Sequence, residues 1–282
     1  MVDFQMRYAV TPRYLTAPSK RRSGLKISSA VRFLVAHDTG NPGSSADANV
    51  RYYERTRDDK SASAHIFVDD REIIECVPAL TAAPEKAWHV RYGIEGDNSL
   101  YGVDANDAAL GIEYCYGGRI DADAAYDKYV WVLAYCLHKF ELDPWGDIVA
   151  HYFLDPGRRT DPATGLAHSR RTYDQLLRDV RADYYACRGE TAPAAPPSPG
   201  MPGVGTATTR VRLNLRNGAP SLRAPLHQTV PVGTQLHYSR VVRDGEPVNG
   251  NPVWLGDDQD RYFWSGGVSW QALAPPAADQ AA

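Results

Sequence analysis

From Val31 to His37 apolar and polar positions alternate, with Val31, Phe33, Val35 and His37 on one face, which predicts a strand that closes on a histidine. Asp47 then predicts the cap of a short helix running through Arg57. Residues 64–68 and 73–77, parted by the polar turn 69–72, predict a hairpin. A further strand is expected over 110–116, a helix where Tyr126, Val130, Leu133 and Leu137 recur at helical spacing, and a strand again at 148–150. Thr172 with Gln175 three residues on forms a capping box, followed by Tyr173, Leu176, Leu177, Val180 and Tyr184 on one helical face. Strands and helices that alternate in this way predict an α/β domain with a central mixed sheet flanked by helices.

The pattern breaks at residues 189–208, where proline, alanine and glycine replace any periodicity and predict an extended linker. Beyond it come only short strand-like runs, at 211–215, 230–232, 235–238, 252–255 and 261–264, separated by glycines, as in a small closed all-β barrel. The expected organisation is a first domain over 1–188, a linker over 189–208, a barrel over 209–273 and a disordered tail over 274–282.

At 282 residues, two domains are the default. With 31 basic against 34 acidic residues and a net charge of −3, no global field draws the chain to nucleic acid or to an anionic membrane, so a local site must supply specificity. No stretch is apolar enough to span a bilayer, and the first thirty residues lack a secretory signal's apolar core, so the chain is expected to be made in the cytoplasm without membrane insertion. The early cations Arg7, Arg13, Lys20, Arg21, Arg22 and Lys26 read as a solvated arm. Cys76, Cys115, Cys136 and Cys187 form no Cys-x-x-Cys pair and read as free, mostly buried thiols.

Candidate chemistry gathers on His37, His151 and Asp161. Two imidazoles and a carboxylate suit a catalytic Zn²⁺, which keeps three protein ligands and a fourth position for water. Taken singly, each has a blander reading: His37 and His151 as core histidines at strand ends, Asp161 as a turn residue before proline. In combination, the strand ending in His37-Asp-Thr, the segment Ser63-Ala-His65, Gly111-Ile-Glu-Tyr114, and His151 followed by residues 156–162 resemble, in order and spacing over roughly residues 25–185, the zinc-dependent N-acetylmuramoyl-L-alanine amidases of the type-2 amidase and peptidoglycan-recognition-protein group.

That resemblance implies a peptidoglycan hydrolase that cuts the amide between N-acetylmuramic acid and L-alanine of the stem peptide. His37, His151 and Asp161 would be its metal ligands and Glu113 its acidic catalytic residue. Strand alternation agrees, since it sets Glu113 on the face opposite Ile112 and Tyr114. Arg159 stands where several relatives carry lysine and is assigned to the oxyanion, without the proton-transfer role a lysine can have. Ala64 replaces the tyrosine of some relatives. His65 and His89 are expected to position substrate.

The C-terminal barrel resembles bacterial Src homology 3 domains through residues 213–218, 230–238, Trp254 and Trp264, which implies a wall-binding module. Tyr238, Trp254, Tyr262 and Trp264 would then line its groove, or else belong to its core. The combined expectation is a monomeric phage-type endolysin that acts on the cell wall after release. The alternatives are a non-catalytic peptidoglycan-recognition protein and a cytosolic muropeptide-recycling amidase; a zinc peptidase of the stem peptide and an adaptor for proline-rich ligands stand further off.

Overall fold

A computed structural model describes residues 3–27, 30–94, 97, 101–144, 146–155, 158–191, 205–257 and 259–270. The chain forms two compact units, Met1–Ala192 and Pro193–Ala282.

The first unit is built on a six-stranded sheet of β1 (Val10–Pro12), β2 (Phe33–Asp38), β3 (Ile66–Val68), β4 (Ile73–Glu75), β5 (Ala109–Tyr114) and β6 (Ile148–Ala150). Its order is β1-β4-β3-β5-β2-β6, and every neighbouring pair is parallel except the β3–β4 hairpin, so the sheet is mixed as expected. Its helices are α1 (Ala46–Arg55), α2 (Ala105–Ala108), α3 (Ala122–Lys139), α4 (His151–Leu154), α5 (Ala163–His168) and α6 (Tyr173–Cys187). Among the described residues no helix is long and apolar enough to cross a membrane.

Strand alternation divides the core between the two sheet faces. Leu34 and Ala36 of β2 and Leu110, Ile112 and Tyr114 of β5 pack with Trp131, Leu133 and Leu137 of α3 and Leu176 and Val180 of α6. Phe33 and Val35 belong to a separate apolar cluster with Val149 and Leu154. His37 and Glu113 continue that second face toward the carboxyl ends of the strands, where ligands of parallel sheets bind.

Several expectations are corrected. Ser45, rather than Asp47, caps α1 by accepting the Ala48 N–H, and Asp47 sits in the first turn, bonded to Arg13 and Arg51. The early cations are no solvated arm except at Lys20, which is exposed. Arg21 is fully buried, donates to the Thr56 carbonyl and hydroxyl and to the Ala62 carbonyl, and lies 4.2 Å over the Tyr53 ring. Arg22 pairs with Glu85 at 2.8 Å and Lys26 with the same carboxylate at 3.0 Å. These partners lie 32 to 63 residues away, so a local charge pattern carries no sign of them. Thr172 does cap α6, accepting the Gln175 N–H, and all four thiols are free and buried.

The second unit is all-antiparallel. β10 (Gln235–Tyr238), β7 (Gly205–Thr209) and β14 (Val268–Trp270) form one sheet, in that order; β11 (Arg240–Val242), β12 (Trp254–Gly256), β13 (Arg261–Trp264), β8 (Leu213–Asn217) and β9 (Leu226–Val230) form the other. Ala207, Leu213, Leu215, Val230, Tyr238, Leu255, Phe263 and Val268 make its core. β7 begins within the stretch expected to be linker, because Gly205-Thr-Ala-Thr-Thr209 alternates only small side chains and shows no hydrophobic signal. The strand expected at 230–232 instead spans 226–230. The expected tail, 274–282, lies outside the described residues.

Candidate metal centre

Three structural elements bring the candidate ligands together. His37 is the penultimate residue of β2, His151 opens α4 directly after the neighbouring strand β6, and Asp161 lies in the loop before α5. The Tyr152 N–H donates to the Asp161 carbonyl at 3.1 Å, which folds that loop back on α4. Asp38 accepts from the Gly165 N–H at 2.8 Å and from Gly40 at 3.0 Å, tying α5 to the end of β2. Tyr129 of α3 donates to the His37 carbonyl at 3.1 Å from the other side of the sheet.

The Nδ1 atoms of both His37 and His151 lie 2.9 Å from the same oxygen, Asp161 Oδ2, and the two rings are 4.5 Å apart. Both histidines are 2% exposed, which excludes bulk water as their partner. Burial presses the Asp161 carboxyl upward, but the bonds from His151 and His37 outweigh it and hold the group well below the ordinary carboxylate range. Burial, aided by His151, lowers the His37 imidazole to about 4, so the ring is neutral and has a lone pair to offer.

Glu113 is paired in register with His37 on β5. Burial and the carboxylates of Asp161 and Asp38 raise its carboxyl well above the usual value, while Arg159 works in the opposite direction. Arg159 itself is exposed on the Asp161 loop, and its charge acts on both His37 and Glu113. Among the described residues, six side-chain atoms are buried without a hydrogen-bond partner, and four of them, Thr39 Oγ1, His89 Nε2, Glu113 Oε2 and His151 Nε2, belong to this end of the sheet or to the ring packed against it. The ligand atoms of His37, His151 and Asp161 all lie within 4.8 Å of one another, and these three are the only such group among the described residues. Two imidazoles and a carboxylate converging this closely fit Zn²⁺.

Two expected substrate contacts are corrected in the first unit. His65 is fully buried, its Nδ1 accepting from the Gly111 N–H at 2.9 Å and its Nε2 donating to the Glu85 carbonyl at 2.8 Å, so both nitrogens are committed to backbone. His89 is 7% exposed and places Nδ1 3.1 Å from His37 Nε2, so one ring nitrogen meets a candidate ligand. In the second unit Trp254 is 1% exposed with its indole N–H on the Glu246 carbonyl, and Tyr238 and Tyr262 are also buried, so these three belong to the interior. A Cβ at Gly245 would fall 2.2 Å from the Trp254 ring. Trp264 is half-buried, packs against the same core and donates to the Asn251 carbonyl. Asp38, Asn106 and Tyr129 were not foreseen; the only sign of Asp38 in the sequence is its place directly after His37.

Residues 28–164 match the family model described as N-acetylmuramoyl-L-alanine amidase. The chain is 33% identical over 171 residues to the N-acetylmuramoyl-L-alanine amidase BlyA of Bacillus subtilis, covering 58% of this chain and 45% of that protein. It is 38% identical over 96 residues to a probable N-acetylmuramoyl-L-alanine amidase of Bacillus licheniformis, covering 33% of this chain and 26% of that protein. The chain thus spans less than half the length of these relatives. Among solved structures, the Staphylococcus aureus hydrolase AmiA in complex with its ligand aligns with a TM-score of 0.52 at 21% identity, over 67% of this chain and 90% of that one, a likeness of fold.

Proposed function

We propose that this chain is a zinc-dependent N-acetylmuramoyl-L-alanine amidase that hydrolyses peptidoglycan, and that it works as a phage-type endolysin. The observation that carries this reading is a single carboxylate oxygen, on Asp161, shared by two buried imidazoles in the segment matched to the amidase family. His37, His151 and Asp161 would hold the ion. When bound, it supplies Lewis acidity, polarising a carbonyl and making water a better nucleophile near neutral pH.

The chain's own groups supply the rest. Glu113, in register with His37 and short of a hydrogen-bond partner at Oε2, takes a proton from the attacking water. Water oxygen bonds to the lactyl carbonyl carbon, and the charge that builds on the carbonyl oxygen is met by the Arg159 guanidinium. Glu113 then returns its proton to the departing nitrogen as the C–N bond breaks, leaving a lactyl carboxylate on the glycan and a free L-alanine amine on the peptide. A carboxyl held high by burial suits this last step, since it keeps the proton until the amine needs it.

The all-antiparallel second unit is assigned to wall attachment as an Src-homology-3-like module. A binding unit joined to a catalytic one raises the local concentration of enzyme on an insoluble polymer. Mass spectrometry of purified sacculi digested with the full chain is the test: new L-alanine amines together with free lactyl carboxylates are expected. New amines within the stem peptide, or no release, would reject the amidase.

A further inference from the structure

The two candidate histidine ligands are supported unequally: His151 has no partner at Nε2, whereas His37 meets His89 there. We propose that His89 is a positioning residue for His37, accepting the His37 Nε2–H proton at its own Nδ1 and so keeping the His37 Nδ1 lone pair turned toward the metal side. This rests on the zinc-site reading above.

A neutral imidazole has one N–H and one lone pair. If His37 offers Nδ1 to a cation, its proton sits on Nε2, and the 3.1 Å separation from His89 Nδ1 is a hydrogen-bonding distance. His89 must then have a bare Nδ1 and carry its proton on Nε2. That atom is buried without a well-formed bond, although the nearby Ala109 carbonyl favours a proton on the ring. Ligating histidines are commonly steered by a group at their outer nitrogen. Here that group is a second, neutral ring.

A ring can orient another only if it is itself held. Asn106, fully buried, accepts at Oδ1 from the N–H groups of His89 and Val90 at 2.9 and 3.1 Å and returns a bond from Nδ2 to the Val90 carbonyl at 2.7 Å. On the other side the ring lies on the bare backbone of Gly111, where an added Cβ would come within 2.6 Å of His89 Cγ. His65 braces Gly111 in turn, donating its N–H to the Gly111 carbonyl at 3.0 Å and accepting the Gly111 N–H. The glycine at 111 is therefore required by the seat of His89.

Zinc affinity, measured on the full chain by competition with a chromophoric chelator, tests the role. His89→Ala should bind zinc roughly 10- to 100-fold more weakly. His89→Asn, whose Oδ1 can take the place of Nδ1, should recover most of the loss. Wild-type affinity in His89→Ala, or no recovery in His89→Asn, would overturn the proposal. Should His89→Ala fail to fold, histidine ¹⁵N spectra of the zinc-loaded wild type decide: a bare Nδ1 and protonated Nε2 on His89 support it, and a proton on Nδ1 refutes it. A wild type that binds zinc no better than His151→Ala would instead remove the zinc site itself.

Discussion

The two units treat buried polar atoms in opposite ways. In the second unit the indole N–H groups of Trp254 and Trp264 each reach a backbone carbonyl, and the two unpartnered atoms among its described residues, Arg216 Nε and Arg240 Nε, belong to guanidinium groups bonded through another nitrogen. In the first unit, Glu113, His89, His151 and Thr39 each leave an atom unsatisfied at one end of one sheet. Each such atom costs about 1–3 kcal/mol when nothing pairs with it. A fold accepts that concentration where a ligand or ion completes the set, so the contrast separates the unit proposed to carry the chemistry from the unit proposed to attach to the wall.

The sharpest way to break that separation is a pair of substitutions, one in each unit. His151→Ala should remove bound zinc and lower lysis about a thousandfold or more, with little change in the unfolding of the second unit. Trp254→Ala should do the reverse: about 3–5 kcal/mol of lost stability in the second unit, and unchanged cleavage of soluble muropeptides. Metal analysis, calorimetry and product assays on both variants check this. Full lysis by His151→Ala would eliminate the proposed centre, and loss of soluble-substrate cleavage in Trp254→Ala would show that the units do not act separately.

What the sequence disclosed follows the length and periodicity of the elements and cuts across that divide. β2, the β3–β4 hairpin, α3 and α6 were legible because each is long or strongly periodic, and His37, His151 and Asp161 because they stand at the ends of such elements. β1, with a proline in three residues, and β7, with no large apolar side chain, leave no periodic trace. The short helices α4 and α5 are too brief to show a period. The partners of His65 and His89 are not legible for a different reason. Whether a histidine meets substrate, backbone or another ring depends on which strand lies opposite, and that register is set by contacts far away in the chain.

A smaller effect tests the first unit's buried histidines through pH. Burial lowers His65 from its ordinary 6.5 to about 4, whereas His227 and His237 of the second unit are exposed. Between those two values the unfolded chain takes up a proton that the native ring refuses, so stability is lost as pH falls from about 6.5 toward 4 and levels off below. The gap corresponds to about 3 kcal/mol. Urea unfolding under chelator, compared between wild type and His65→Gln, should show the wild type's first unit losing about that much more on acidification. Equal pH dependences would mean that His65 is not held neutral.

The smallest effect distinguishes a buried site group from one at its rim. Arg159 is exposed, so its charge is screened by water, yet it acts on both His37 and Glu113 and stands on the loop that delivers Asp161. If it steadies only the charge that develops during attack, Arg159→Gln should lower kcat about tenfold and leave KM and zinc affinity near wild type, well short of the loss from a buried oxyanion donor. Arg159→Lys should fall between them, since a point charge replaces a planar fork. The effect should also shrink in high salt, because an exposed cation is screened over about 8 Å at physiological ionic strength. A rise in KM with kcat unchanged would assign Arg159 to substrate binding instead, and place the oxyanion's support wholly within the buried end of the sheet.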